Sequence, residues 1–318
     1  MDKRYIFENY LNIARNFVSE KEYAKALKFY NKAYKLEEGK GDIELILDIA
    51  MLYDKLGYKD EAEEKYRAAI KVDDNDARAY YGIGVLYDED GFLEEAIEYY
   101  KVAIELDEKY DRAYFFLANA YDELKDVENA IKYYNEVLKL VPNDLWANAN
   151  LGCIYEELGN YEKALVYMKK SLEIDPNNFR ILFNMGVLFK SLKMEEDAKE
   201  YYYKSIDKNH SYPYSYLNLA VIYRENDDLK SAIDIISRGI ENNLDSSFLY
   251  YNRCCFYVSV NELNLAFKDL VRSIEINNIF LEYMKNDSEL DKLRDLQEYK
   301  DYVNMMKDKM LQGKQIRN

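Results

Sequence analysis

Apolar positions in this chain follow two nested periods. Locally they fall at i, i+3, i+4 and i+7, the stripe of an amphipathic helix. The whole pattern then returns every 34 residues, without a gap, from Ile43 to Phe280. Seven repeats begin at residues 43, 77, 111, 145, 179, 213 and 247, and an earlier one runs from Phe7 to Lys40, followed by Gly41 and Asp42. In the repeat from residue 77 the first stripe is Tyr80, Ile83, Gly84 and Tyr87, and the second is Ala96, Tyr100 and Ala103. Turn residues lie between the stripes, as in Glu89-Asp90-Gly91 and Glu157-Leu158-Gly159, and a polar turn such as Asp175-Pro176-Asn177-Asn178 closes the repeat. Each repeat therefore predicts two antiparallel helices.

The residue types at fixed places support this. The twentieth place is always alanine: Ala26, Ala62, Ala96, Ala130, Ala164, Ala198, Ala232 and Ala266. The eighth is always small, the eleventh always aromatic, and the twenty-fourth large, mostly tyrosine. Small residues at places eight and twenty let the paired helices approach closely, and large neighbours fill the remaining volume. One pair cannot bury its own apolar stripe, so neighbours must stack. The expected architecture is all-α, an α-solenoid of stacked helix pairs.

These intervals resemble the tetratricopeptide repeat family. The resemblance spans residues 7 to 280. The family's tryptophan at the fourth place is mostly Tyr here and Asn148 in the fifth repeat. Its closing proline survives only as Pro142 and Pro176, and the last two repeats are the least regular, with Arg253 at a usually apolar place. The resemblance implies a right-handed superhelix whose first helices line a concave groove.

The segments outside the array divide into an N-terminal extension, 1–6, and a C-terminal capping helix with a polar tail, 281–318. Ser288 is the expected N-cap of that helix, and Leu290, Leu293, Tyr299 and Val303 can share its buried face. The polar end from Lys307 is expected to fray.

Composition narrows the function. The 318 residues include 34 Tyr, one His, three Cys and no Thr. Lone His210, in an inter-repeat turn, leaves most triads and metal sites without partners. Cys254 takes a small packing place, Cys153 and Cys255 are three repeats apart, and no carboxylate is expected in a pKa-shifting apolar setting. The chain is thus expected not to be an enzyme, with no cofactor and no metal. It has no apolar run of membrane-spanning length and no signal peptide, so a cytoplasmic location is expected, with no membrane partner. The net charge is -16, concentrated in residues 43–144, where 12 Lys/Arg face 26 Asp/Glu. That excess argues against nucleic acid and for a protein or peptide partner of basic character.

The resemblance assigns ligand reading to places two, five, six, nine, twelve and thirteen of each repeat. Carried onto this chain, places twelve and thirteen give an acidic ledge of Asp54, Asp88, Glu89, Asp122, Glu123, Glu156 and Glu157. The sixth place gives Asn150, Asn184, Asn218 and Asn252, each 34 residues after the last, with Trp146, Arg180, Phe183 and Tyr251 nearby. An asparagine amide can both donate to and accept from a peptide backbone. The family's carboxylate clamp matches poorly, with Arg180 the one cation in place and Phe115 where a lysine is wanted. The expected function is a protein–protein interaction scaffold that binds an extended peptide or exposed partner segment, as a monomer or weak homo-oligomer. The alternatives are a peptide-sensing regulator and a substrate-recruiting subunit of a separately encoded enzyme.

Overall fold

A computed structural model describes residues 3–315, with side chains described through residue 306. The chain divides into an N-terminal body, Met1–Ile154, and a C-terminal body, Tyr155–Asn318, with the division inside one helix. The described residues are all-helical. In order, α1 (Lys3–Ser19) pairs with α2 (Tyr23–Tyr34), and a short α3 (Glu37–Lys40) follows; then come the pairs α4 (Ile43–Lys55) and α5 (Lys59–Val72), α6 (Ala77–Glu89) and α7 (Leu93–Leu106), and α8 (Asp111–Glu123) and α9 (Val127–Leu140), and lastly α10 (Leu145–Glu157). Next are α11 (Tyr161–Ile174), then the pairs α12 (Phe179–Ser191) and α13 (Glu195–Lys208), α14 (Pro213–Glu225) and α15 (Leu229–Asn242), and α16 (Ser247–Ser259) and α17 (Leu263–Ile276). Each first helix from α4 onward starts at the residue where the repeat was expected to start. The exception is the first repeat, where α1 begins at Lys3, so most of the expected 1–6 extension is the first turn of a helix.

Why the pairs are so regular is visible at four places. All eight alanines at place twenty are fully buried, and place twenty-seven is also small and closed, with Ala33, Ala69, Ala103, Ser171, Ser205 and Ser273 at 0% exposure. The tyrosine at place twenty-four lies over the small residue at place eight of its own repeat. A Cβ on Gly84 would sit 2.7 Å from the Tyr100 ring, and one on Gly186 would sit 2.6 Å from Tyr202. On the other side of the pair, the aromatic at place eleven stacks on another at place twenty-three: Phe17 on Phe29, Tyr87 on Tyr99, Tyr121 on Tyr133, Tyr155 on Tyr167 and Phe189 on Tyr201, with centroids 5.2–5.7 Å apart. Offset stacking of this kind adds to simple burial.

The turn within each pair uses one left-handed residue. Place fifteen has φ between 59° and 79° in every repeat, filled by Gly57, Gly91 and Gly159 but otherwise by Lys21, Lys125, Lys193, Asp227 and Asn261. Some helix starts are capped by short polar side chains: Asp42 accepts from the Leu45 amide at 3.0 Å, and Asp144 from the Ala147 amide at 2.7 Å. Asn148, which replaces the family's tryptophan, is buried and satisfied by donating to the Asp144 carbonyl at 2.7 Å.

The C-terminal segment differs from the single capping helix expected. It folds as α18 (Phe280–Asn286), a 3-10 turn at Ser288–Leu290, α19 (Asp291–Arg294) and α20 (Gln297–Gln315). The N-cap is Asp287, whose carboxylate accepts from the Glu289 amide at 2.9 Å, and not Ser288. Leu290, Leu293 and Tyr299 are buried against α16 and α17 as expected, joined by Met284, and Val303 packs beside them. The backbone is helical to Gln315 although the sequence suggested fraying from Lys307; residues 316–318 lie outside the described residues.

Two outcomes follow from this packing. Ala130→Leu should overpack the α8–α9 pair and lower stability by about 1–3 kcal/mol in a denaturant titration; an unchanged midpoint would remove the close-approach argument. Lys193→Gly should raise stability by roughly 0.5–1 kcal/mol, because it relieves a left-handed non-glycine residue that costs about 1–2 kcal/mol, less glycine's extra chain entropy. The Lys193 side chain is exposed, so little burial is lost.

Candidate functional site

Places two, five, six, nine and twelve of the first helices are the ones left over once places eight, twenty, twenty-four and twenty-seven have been spent on packing. In the N-terminal body they form a cavity of about 380 Å³. Glu44, Leu47, Asp48, Met51, Asp54 and Lys55 of α4 line one side; Arg78, Tyr81, Gly82 and Val85 of α6 and Arg112 of α8 line the other; Tyr66 and Tyr110 complete it. Gly82 makes the space. It takes the sixth place, where neighbouring repeats carry Asp48 and Phe116, and a Cβ there would meet the Tyr66 ring at 2.3 Å. A second compartment of about 370 Å³ adjoins the first and shares Tyr81 and Arg112 with it. Its other walls are Asp111, Phe115, Phe116, Val137, Asp144 and Trp146, so it is mainly aromatic.

The electrostatics overturn one expectation from sequence. Asp48, Asp54 and Asp88 are half-buried, and burial pushes each carboxyl above the usual carboxylate range. Glu89 pushes Asp54 further up, and Glu123 and Glu89 act the same way on Asp88. Opposing contacts soften this: the Tyr30 hydroxyl donates to Asp48, and the Tyr100 hydroxyl donates to Asp88 at 2.9 Å. Helical spacing alone could not reveal these shifts, because the burial depends on packing between helices and part of the charge comes from ledge residues of the next repeat. Lys59 is one counterion on the ledge, 3.2 Å from Glu89. The Arg78 guanidinium donates to Glu44 at 2.7 and 2.9 Å and to Asp76 at 2.6 Å, which holds both carboxyls below their usual range.

Each place-twenty-four tyrosine ends with its hydroxyl at the floor of this face. Tyr134 donates to Asn119, while the Asn150 amide donates to the Tyr134 hydroxyl at 2.8 Å and to Asn119 at 3.2 Å. Asn150 is therefore tied into the floor of the N-terminal body. In the C-terminal body Tyr202 holds the equivalent place, and its buried hydroxyl has no partner among the described residues.

Two of the asparagines spend one amide hydrogen on their own helices. Asn218 donates to the Tyr214 carbonyl at 3.0 Å and Asn252 to the Phe248 carbonyl at 2.8 Å, each four residues back in its own helix. Each keeps its oxygen and one N–H for a ligand. Asn184 is half-buried on α12. Beside them runs an aromatic row: Phe183 packs edge-on to Tyr212 at 5.3 Å, Tyr212 lies 5.3 Å from Tyr214, and Tyr214 stacks on Phe248 at 5.2 Å. Arg180 lies over Phe179 at 5.6 Å. Tyr110 and Tyr212 were missed from sequence; both are aromatics at the last place of a repeat, within an otherwise polar turn, and that oddity was the available signal.

Tyr251 is not an open groove residue. Phe280 stacks on it at 4.8 Å and its hydroxyl donates to Asp287, so the C-terminal segment covers it. The same segment buries Cys255, which the ninth place had put in the groove. Of the ledge, Asp54, Asp88, Glu89, Asp122 and Glu123 belong to the N-terminal body; Glu156 and Glu157 belong to the C-terminal body, where Glu156 accepts from the Ser191 hydroxyl. His210 is exposed. No helix among the described residues is long and apolar enough to cross a membrane.

Tetratricopeptide repeat profiles match residues 7–40, 47–111, 110–177, 179–207 and 213–246. No curated protein matches the sequence significantly. Among solved structures, a tetratricopeptide repeat protein from Parabacteroides merdae is 21% identical, with a TM-score of 0.63 over 76% of this chain and 97% of that one. The Cut9-Hcn1 hetero-tetramer of APC/C gives 16% identity and a TM-score of 0.60 over 85% of this chain. This chain spans about half, 52%, of that one. PilF of Pseudomonas aeruginosa gives 19% and 0.57 over 65% of this chain and 93% of that one. At these identities the likeness concerns the fold alone, and the repeat profiles, which together cover most of residues 7–246, carry the assignment: the chain belongs to the tetratricopeptide repeat family.

Proposed function

We propose that this protein is an interaction scaffold that binds an extended segment of a partner protein along the first-helix face of its N-terminal body. The observation that carries this reading is the pair of adjoining compartments that share Tyr81 and Arg112. They are built from equivalent places of successive repeats, so a chain lying across the helices meets them one after the other. Aromatic walls with a few placed polar groups are the usual make-up of a recognition site. The row of Tyr212, Tyr214 and Phe248 with the Asn218 and Asn252 oxygens supports a similar contact surface in the C-terminal body.

The ledge supports a partner of basic character. Ionised carboxylates that are partly desolvated and face one another cost folding free energy, and a cation brought by a partner would offset that cost.

Affinity capture with the full chain, followed by mass spectrometry, supplies the partner segment for testing. Trp146 is 37% exposed, so Trp146→Ala should leave the fold intact. It should weaken that segment's binding by about 2 kcal/mol, roughly thirtyfold, in a calorimetric titration. Asn218→Ala with Asn252→Ala removes two acceptor oxygens and should cost about 1–3 kcal/mol if both are used. Affinity that ignores Trp146 would move the site off the aromatic compartment.

Asp54→Asn should stabilise the free protein at pH 7. The folded state raises the Asp54 pKa above its unfolded value, so ionisation opposes folding at neutral pH and the opposition fades as pH falls toward about 3.9. The gain in denaturation midpoint should therefore be largest near neutrality and close toward pH 4. A gain independent of pH would mean that desolvated charge is not its cause.

A further inference from the structure

We infer that the Gly82 cavity of the N-terminal body is a receptor for a single lysine or arginine side chain of the bound segment. This deepens, and rests on, the reading of the protein as a peptide-binding scaffold.

The argument begins with Tyr66. It is only 5% exposed, and no described residue gives its hydroxyl a hydrogen bond. Its counterparts in the flanking repeats are all engaged: Tyr30 with Asp48, Tyr100 with Asp88, and Tyr134 with Asn119 and Asn150. The difference arises at Gly82. The sixth place of the following repeat supplies a partner to Tyr30 and to Tyr134, whereas after Tyr66 it supplies no side chain and leaves open space instead. The Tyr66 hydroxyl therefore opens onto the cavity with its bonding capacity unspent, available to an occupant.

What that occupant carries follows from the neighbouring groups. Asp54 accepts no hydrogen bond from any described residue; burial and Glu89 oppose its charge, and Lys59 and Lys55 offset this only in part. Asp48 accepts a hydrogen bond only from Tyr30, has Arg15 nearby as a partial counterion, and keeps acceptor positions open. The nearby cations have direct partners other than Asp48 and Asp54: Arg15 bonds to the Tyr30 hydroxyl, and Lys59 pairs with Glu89 and Asp90. Arg78 is held by Glu44 and Asp76, and the Lys55 ammonium lies over the Tyr23 ring at 5.1 Å. The unmet demand in the cavity is therefore for donors carrying positive charge. Ammonium and guanidinium groups supply donors only, and the rings of Tyr66 and Tyr81 offer faces to a cation or its aliphatic stem. Arg112 sits at the opening shared with the aromatic compartment and leaves the Asp48 and Asp54 side to the cation. The ligand of this site would thus be a basic residue with an apolar neighbour for the Phe115 and Trp146 compartment.

Met51 lines the cavity and is one of nine methionines, so its methyl group reports directly on occupancy. The full chain, labelled with carbon-13 at methionine methyls and assigned by Met51→Leu, would be titrated with Nα-acetyl-arginine methylamide and separately with the norleucine and glutamate analogues. The arginine amide should shift the Met51 signal saturably, with the other two at least tenfold weaker. Asp54→Asn, which keeps the side-chain shape, should weaken the arginine amide at least tenfold while the remaining methionine signals stay in place. Arg112→Gln should not weaken it. Equal response to norleucine would make the cavity a purely apolar pocket, stronger response to glutamate would make it an anion site at Arg112, and no response would leave it empty of function; each overturns the inference. The broader reading fails separately: a protein that takes the arginine amide yet captures no partner segment contradicts the scaffold, and one whose captured segment needs Trp146 while Met51 ignores arginine contradicts only the cavity assignment.

Discussion

The close approach of the two helices in each pair is the constraint from which the other features descend. Alanine or another small residue at places twenty and twenty-seven brings the backbones together, and place eight must then be small enough to accept the tyrosine from place twenty-four. That tyrosine is too long to end inside the pair. Its ring fills the gap over place eight and its hydroxyl emerges on the first-helix face, where it needs a partner. A packing solution thereby sets a row of phenolic hydroxyls along the floor of the surface that is left for binding.

The chemistry of that surface is then decided by what the sixth and twelfth places offer each hydroxyl. Asp48, Asp88 and Asn150 satisfy theirs, and the cost is that two of these carboxylates are held in a partly desolvated setting. Where Gly82 offers nothing, a cavity opens. The variation that gives this array its individual character is therefore concentrated in a few places that do no helix-to-helix packing, as expected when a repeated scaffold carries a non-repeated site.

The fold was legible because its determinants are local and repeated. Eight alanines at one place and helix starts at 34-residue intervals leave little room for another reading, and from α4 onward the helices begin where the spacing put them. The site was legible only in outline. The ledge carboxylates and Trp146 fall on the assigned places, but the burial of Asp48 and Asp54, and the use of one amide hydrogen each by Asn218 and Asn252, depend on contacts across helices or on a side chain turning back to its own backbone. Neither is encoded by spacing. Gly82 is the clearest case. In the sequence it is one glycine among eleven, and its meaning comes from the Tyr66 ring that crosses it from the preceding repeat.

The last repeat shows what happens when the neighbour changes. Arg253 stands at a place that is elsewhere apolar, and its guanidinium donates to Asp269 at 2.7 and 2.8 Å and to the Ser237 hydroxyl at 3.0 Å, between the rings of Tyr250 and Tyr257. A paired and fully hydrogen-bonded charge of this kind is tolerated in a core, whereas removing one partner strands the other. Beyond this repeat the covering element is no longer a helix pair but the irregular segment from Phe280, which brings its own polar backbone and Asp287 against α16. Tyr251 and Cys255 are consequently drawn into the core, although Met51, which holds the place of Cys255 in the second repeat, is exposed. A repeat sequence can be read by superposition on its neighbours only while the next element is another repeat; at the end of the array the same place takes its role from whatever closes the stack.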